Sequence, residues 1–128
     1  MFVVKNDGSI CITRGDIAAI EVRMVTDTGA EHMFTKGDVV RFNVHERQRT
    51  DRVVILKDIL VEEDTPAVVI TLGSEDTKIG ELINAPVNYW YEIELNPDTL
   101  PQTIVGYNEV GPKLFRLFPE GDDEKWAL

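Results

Sequence analysis

The side chains that could carry out covalent chemistry are few in this sequence, and they stand far apart. His32 and His45 are the only histidines, and Cys11 is the only cysteine. Nucleophilic catalysis needs a serine, threonine or cysteine held beside a base, and neither histidine falls in a recognisable motif for that pairing. Cys11 stands between two isoleucines, a setting typical of a buried thiol. We therefore predict no catalytic residue.

The patterns of metal sites are not present either. Two histidines and one cysteine at wide spacing supply no CxxC or HExxH zinc signature. Calcium prefers oxygen ligands, and three acidic clusters offer them. None of these clusters has the alternating aspartates and the glycine of a known calcium loop. These clusters are Glu62-Glu63-Asp64, Glu75-Asp76 and Asp122-Asp123-Glu124. We interpret them as solvated turns and predict no metal and no cofactor.

Length and charge restrict the function further. The chain has 128 residues, a net charge of -10 and 43% hydrophobic residues, which suits one domain with a real core. A domain this small would struggle to build the deep cleft of a glycosidase, so we expect no enzyme. Binding to nucleic acid needs clustered lysines and arginines, and acids interrupt the basic stretch 45–52.

A membrane partner is not expected. Insertion as a helix needs about 20 consecutive apolar residues, whereas the longest apolar run, Ala67–Leu72, has the length of a strand. The opening residues Met1–Asp7 become charged too early for a signal peptide. We therefore expect a protein made in the cytoplasm.

The elements that must position these side chains are strands. Short apolar runs alternate with turn residues throughout, which predicts an all-β sandwich. One short helix is predicted near residues 75–83, because acidic residues open that segment and Ile79, Leu82 and Ile83 share one side of it. We assign residues 1–119 to the sandwich and 120–128 to an acidic tail that we expect to be mobile.

Several strands can be predicted individually. Val39–His45 alternates, with Val40, Phe42 and Val44 inward and Arg41, Asn43 and His45 outward on a half-solvated face. The run 18–25 and a shorter one at 31–35 are further strands. Residues 52–61 are apolar almost continuously, which predicts either cover on both faces or a bulge near Asp58.

The most informative segment is the aromatic strand Val87–Leu95. At period two, Tyr89, Tyr91, Ile93 and Leu95 share one face, and the other face carries Trp90 among polar residues. Large aromatic side chains are enriched at binding interfaces, although a neighbouring loop could equally cover Trp90. Trp126, in the acidic tail, either docks on a neighbouring subunit or is an incidental residue of the terminus. The candidate interface residues are therefore Asn88, Trp90, Glu92, Glu94 and Trp126.

A family resemblance rests on the order of four landmarks along residues 12–118. They are Ile12-Thr13-Arg14-Gly15-Asp16, Lys36–Val44, Val69–Leu72 running into Glu75-Asp76-Thr77, and Tyr89–Leu95. In this order they resemble the small Ig-like β-sandwich domains of phage and prophage virion proteins, with the N-terminal domain of baseplate upper proteins as the nearest example. The loop 96–103 is richer in proline than that pattern, and baseplate proteins usually continue beyond one domain.

The resemblance implies an Ig-like antiparallel sandwich with a structural role and no catalysis. The chain would be a baseplate, tail or head-associated protein, made in the bacterial host and carried in the virion. It would form a homo-oligomer and dock on other virion proteins. The alternative is a carbohydrate- or receptor-binding module, in which Trp90 and Tyr107 would stack on a sugar ring.

Overall fold

The computed structural model of the chain describes residues 1–26, 28–46, 52–79 and 84–120. Almost all regular structure in these ranges is β, and the one helix among them, α1, has four residues, Ser74–Thr77. The predicted all-β class is therefore confirmed. In chain order the strands are β1 Phe2–Val4, β2 Ile10–Thr13, β3 Ala18–Val22, β4 Val39–His45, β5 Val53–Leu60, β6 Val68–Leu72, β7 Val87–Leu95, β8 Gln102–Val105 and β9 Lys113–Phe118.

The strands form two sheets. The large sheet runs in the order β1-β2-β9-β7-β4-β5, and β8 pairs with β7, while the small sheet consists of β3 and β6. The pairs are antiparallel except β2 with β9, which run parallel. The run β9-β7-β4-β5 of the large sheet is opposed by the pair β3-β6, as in a β-sandwich.

A single core lies between the sheets. Strands β3 and β6 alternate strictly between buried and exposed residues, because only one face of the small sheet meets the large one. On the large sheet, alternate residues of β4 and β7 enter the core, as their period-two pattern predicts. The core positions of these four strands are Ala18, Ile20, Val22, Val40, Phe42, Val44, Val68, Ile70, Leu72, Tyr91, Ile93 and Leu95.

Two of the sequence landmarks meet in space through Thr77. Its buried hydroxyl accepts a hydrogen bond from the backbone N–H of Gly15 at 2.9 Å and donates one to the carbonyl of Asp16 at 2.8 Å. Gly15 has φ +88°, a left-handed conformation that side chains disfavour. The short helix therefore fixes the turn that leads into β3.

Sequence reasoning was wrong in three places. Residues 31–35 form isolated bridges, from Glu31 to Val25 and from Phe34 to Thr65, and not a strand. β5 pairs with β4 without interruption at Asp58, and the irregular register falls between Val44 and His45. β5 is also not covered on both faces, since Leu56 and Leu60 are exposed.

Two other boundaries differ from the sequence reading. β3 ends at Val22, so the predicted strand over 18–25 is shorter by three residues. The helix ends at Thr77, so residues 78 and 79 of the predicted range 75–83 are not helical. Residues 80–83 of that range lie outside the described residues, as does the predicted mobile tail from Gly121 onward.

Candidate functional site

The face of the large sheet that points away from the core carries the candidate interface. Register places three cross-strand pairs on it: His45 opposite Trp90, Asn43 opposite Glu92, and Arg41 opposite Glu94. These residues alternate with the core residues of β4 and β7, so their side chains share the outer face. Asn88, one pair further along β7, stands opposite Arg116 of β9. The outer face therefore groups the residues that the alternation of the aromatic strand predicted.

Trp90 is half-buried and forms one wall of a pocket of about 290 Å³. Its ring lies 5.8 Å from that of Tyr107 and 6.5 Å from that of His45, centroid to centroid. Such distances are typical of aromatic pairs in contact. The pocket is lined by His45, Trp90, Tyr91, Glu92, Tyr107, Pro112 and Lys113. A loop therefore covers part of the Trp90 ring, and the remainder faces the pocket.

The pocket exists because two strands share one side of β7. β9 pairs with Val87–Tyr91, and β8 pairs with Ile93–Leu95. The connection between them, residues 106–112, therefore passes over the outer face near Glu92. Gly106 lets the backbone of the connection lie close to the Thr103 side chain, since a Cβ on residue 106 would meet Thr103 Cγ2 at 2.8 Å.

The connection is held in shape by its own hydrogen bonds. The backbones of Asn108 and Gly111 exchange two bonds, of 3.1 and 2.9 Å, across a tight turn. Gly111 adopts φ +126°, which only glycine takes easily. Tyr107 and Pro112 flank this pair, so the turn brings both of them to the mouth of the pocket.

Two polar residues beside the pocket are buried. His45 is 3% exposed and Glu92 is 8% exposed, although both belong to the outer face. His45 was expected on a half-solvated face, and it is buried because Trp90 and the connection lie over it. Its Nδ1 lies 2.9 Å from the carbonyl oxygen of Glu46, and its Nε2 lies 3.8 Å from Glu92 Oε1. Within the described residues, His45 Nε2 has no hydrogen-bond partner.

Tyr91 follows Trp90 in β7, and its side chain packs in the core, on the face opposite the outer one. Its hydroxyl donates a hydrogen bond to the carbonyl of Gly8. Burial raises the pKa of the phenol to about 12, and the nearby carboxylate of Asp7 adds to the effect. The side chain is therefore fixed as a neutral donor that ties β7 to the β1–β2 turn.

The remaining candidate residues lie elsewhere on the outer face. Asn88 is exposed, and its Oδ1 accepts a hydrogen bond from Arg116 Nε at 2.9 Å. Glu94 is half-buried opposite Arg41, whose guanidinium pairs with Asp58 at 2.8 Å and with Asp98 at 3.1 Å. These pairs raise the pKa of Arg41, with the Asp58 hydrogen bond as the largest cause. Trp126 lies outside the described residues.

A second depression, of about 490 Å³, lies between residues 32–38 and 95–102. Its polar groups bond one another, since Asn96 Nδ2 donates to Asp38 Oδ1 at 3.1 Å and Val39 N–H donates to Asn96 Oδ1 at 2.9 Å. The pocket at Trp90 differs in holding a buried nitrogen that has no such bond. We therefore take the Trp90 pocket as the candidate functional site.

The pocket is suited to binding. Aromatic walls with a few polar groups at the base are typical of sites that hold one ring or one large side chain.

Across the described ranges, no three histidine, cysteine, aspartate or glutamate side chains come together in a way that could hold a metal ion. No helix among the described residues is long and apolar enough to cross a membrane. In comparisons with known proteins, no family model, no curated protein and no solved structure matches this chain.

Sequence reasoning did not bring these residues together as one site. Pro112 and Lys113 were not considered as site residues, and His45 was read only as a surface residue. Tyr107 was considered only as a possible partner of Trp90 for a sugar. A Gly-Pro pair such as Gly111-Pro112 does indicate a turn. The position of this turn over β7 depends on β8 and β9 sharing one side of β7. Local sequence patterns do not encode that arrangement.

Proposed function

We propose that this chain is a non-enzymatic phage or prophage structural protein, of the baseplate, tail or head-associated kind. It works by self-association and by docking on other virion proteins, and it is made in the host cytoplasm and carried in the particle. The virion assignment rests on the order of the sequence landmarks. The docking assignment rests on the Trp90 pocket.

The observation that carries the docking assignment is the Trp90–Tyr107 pair. Tyr107 is 65% exposed while its ring contacts Trp90 at 5.8 Å between centroids. Tryptophan and tyrosine are enriched among the residues that dominate interface energies, and a preformed pocket lowers the cost of ordering side chains on binding. An aromatic pair formed between the sheet face and the connection over it therefore favours a docking surface.

The landmark order also has a physical basis in this fold. The Arg14-Gly15-Asp16 turn is tied to the Asp-Thr segment by the Thr77 hydroxyl, and the aromatic strand β7 leads into the final pair β8 and β9. The resemblance to virion β-sandwich domains implies a turn at Arg14-Gly15-Asp16 that opens a strand, a short helical turn at the Asp-Thr segment, and an aromatic-rich strand that leads to a final strand pair. Motifs that contact one another in the fold are stronger evidence for a family resemblance than the same residue types at unrelated positions.

The virion assignment is tested by purifying particles after phage induction in a strain that encodes the chain, and measuring their protein content by mass spectrometry. The chain should copurify with capsid and tail proteins at a fixed ratio. Its presence in the lysate together with its absence from purified particles would contradict the assignment.

A second candidate function is a carbohydrate- or receptor-binding module. The specific observation in its favour is that Trp90 and Tyr107, a pair suited to stacking on a sugar ring, line one pocket. At about 290 Å³ the pocket lies at the small end of the ~300–1,000 Å³ range of ligand sites, enough for one ring. Binding to a glycan array by a monomeric chain would favour this candidate over virion docking.

A further inference from the structure

A histidine and a carboxylate lie side by side on the outer face, beneath the cover that Trp90 and the connection provide. His45 Nε2 lies 3.8 Å from Glu92 Oε1, and both atoms have almost no accessible surface. The two residues belong to β4 and β7, which pair with each other. They form an enclosed set of nitrogen and oxygen atoms, separate from the open space of the Trp90 pocket.

The ring of His45 is held in the way that metal ligands are held. A carbonyl oxygen only accepts, so His45 Nδ1 carries the proton that bonds Glu46 O at 2.9 Å. In the neutral ring this leaves Nε2 with a lone pair. Histidines that bind metals usually donate their other ring N–H to a carbonyl or a carboxylate, which fixes both the tautomer and the orientation of the ring. Nε2 of His45 is therefore preorganised to bind a cation.

The distance between the two atoms selects the kind of guest. At 3.8 Å they are too far apart for a direct hydrogen bond, and atoms without accessible surface leave no room for a water molecule. Zn²⁺ binds imidazole nitrogen at about 2.0–2.1 Å and carboxylate oxygen at about 2.0–2.2 Å. Two such bonds add up to slightly more than the distance between His45 Nε2 and Glu92 Oε1, so one ion between these atoms reaches both.

Asn43 supplies a third oxygen at the same place. It stands directly opposite Glu92 and shares the outer side of β4 with His45. Its Oδ1 is buried and has no hydrogen-bond partner among the described residues. No metal was predicted from the sequence, because spacing motifs describe ligands on one segment, whereas these three come from two paired strands. One of the three is an amide, so the set is not a cluster of three ionisable ligands.

We propose that His45 Nε2, Glu92 Oε1 and Asn43 Oδ1 bind one Zn²⁺ ion, which joins β4 to β7 beside Trp90. Imidazole favours zinc over Mg²⁺ and Ca²⁺, which prefer oxygen ligands alone. A water or the second oxygen of the Glu92 carboxylate completes the four ligands that zinc usually takes. The ion enters as the chain folds, since metal binding and folding are coupled in enclosed sites. This inference is independent of the virion assignment and of self-association.

The first test strips the full chain with EDTA in urea, refolds it with or without ZnCl₂, and measures bound zinc by mass spectrometry and stability by urea denaturation. The wild type should retain one Zn²⁺ per chain and unfold at a higher urea concentration with zinc than without it. His45→Gln and Glu92→Gln should each weaken zinc binding by more than the ~10–100-fold that loss of an outer-shell partner costs. His32→Gln is the matched control, because it removes the only other histidine and should leave binding unchanged. If His45→Gln does not fold, Glu92→Gln decides.

Two further measurements identify the ligands. Asn43→Asp replaces an amide oxygen with a charged one and should tighten zinc binding about tenfold. X-ray absorption of the zinc-loaded chain should show only nitrogen and oxygen ligands near ~2.0–2.1 Å. A zinc–sulfur distance near ~2.3 Å would place the ion on Cys11, the only thiol, and overturn the inference. It also fails if zinc is not retained, if His32→Gln abolishes binding while His45→Gln keeps it, or if Asn43→Asp does not tighten it.

Discussion

The rings of Trp90 and Tyr107 lie 5.8 Å apart between centroids and are tilted by 55°. Trp90 belongs to β7, while Tyr107 belongs to the connection between β8 and β9, so the contact fastens this connection to the outer face of the sheet. Tyr107 nevertheless remains 65% exposed. One aromatic pair thus covers the buried His45 while most of the Tyr107 side chain stays exposed.

Replacing Trp90 with alanine should separate assembly from folding. The ring is half-buried and lies outside the core, so we expect the free energy of unfolding to fall by only about 1–2 kcal/mol. Self-association should weaken by about 30-fold or more. Urea denaturation and light scattering measure the two effects. A variant that unfolds outright would show that Trp90 is a core residue and would end its interface role.

Tyr91→Phe is the matched control for Trp90, because it alters the adjacent aromatic side chain on the opposite face. The substitution removes the hydrogen bond to the Gly8 carbonyl and should cost about 1 kcal/mol of stability. Self-association should be unchanged. A loss of assembly comparable with that of Trp90→Ala would mean that both variants act through general damage to β7.

The same variant makes a prediction about alkaline pH. Tyr91 has its pKa raised to about 12 in the folded protein, whereas a tyrosine in an unfolded chain ionises near pH ~10. The unfolded state therefore loses its proton first, and the stability contributed by Tyr91 is complete below pH ~10 and is lost as the pH rises toward about 12. Urea midpoints of the wild type should fall more steeply over this window than those of Tyr91→Phe. Parallel curves would contradict the prediction.

Thr77→Val should destabilise the fold through the turn before β3. Valine has nearly the same shape, but it leaves the Gly15 N–H and the Asp16 carbonyl without their bonds to the hydroxyl. We expect a loss of about 2–3 kcal/mol, measured by urea denaturation. Thr77→Ser keeps the hydroxyl and should lose about 1 kcal/mol. If serine proved as damaging as valine, packing of the methyl group would be the dominant role of Thr77.

Asp38 should contribute to acid sensitivity. Burial alone would raise its pKa, but hydrogen bonds from the Thr35 N–H and from Asn96 outweigh this effect and lower the pKa below its ordinary value. A depressed folded pKa means that the stabilisation is present above pH ~4 and is lost as the pH falls through the folded value. Asp38→Asn should therefore show lower stability at pH 7 and a flatter decline in urea midpoint below pH 4. An unchanged slope would contradict this assignment.

The sequence was sufficient to predict the class of fold and the two faces of the aromatic strand. Alternation of apolar and polar residues depends only on the geometry of a strand, so Tyr91, Ile93 and Leu95 could be assigned to the core before the partners of β7 were known. The Asp7-Gly8 turn and the Gly15 turn were predictable for a similar reason, because their chemistry is local.

The burial of His45 could not be predicted in this way. It depends on the position of residues 106–112, which lie far along the chain and cross the outer face only because β8 and β9 share one side of β7. The bulge between Val44 and His45 was missed because a register shift depends on the partner strand. A strand at 31–35 was predicted from local residue types, but these residues gain only single bridges from their neighbours.

The central claim is that this chain assembles through the Trp90 pocket, and the absolute mass of the purified protein in solution tests it most directly. Light scattering over a wide range of concentrations should give a discrete oligomer for the wild type and a shift to monomer for Trp90→Ala at concentrations where Tyr91→Phe remains assembled. A wild-type protein that stays monomeric at every concentration, or a Trp90→Ala oligomer as stable as the wild type, would contradict the claim.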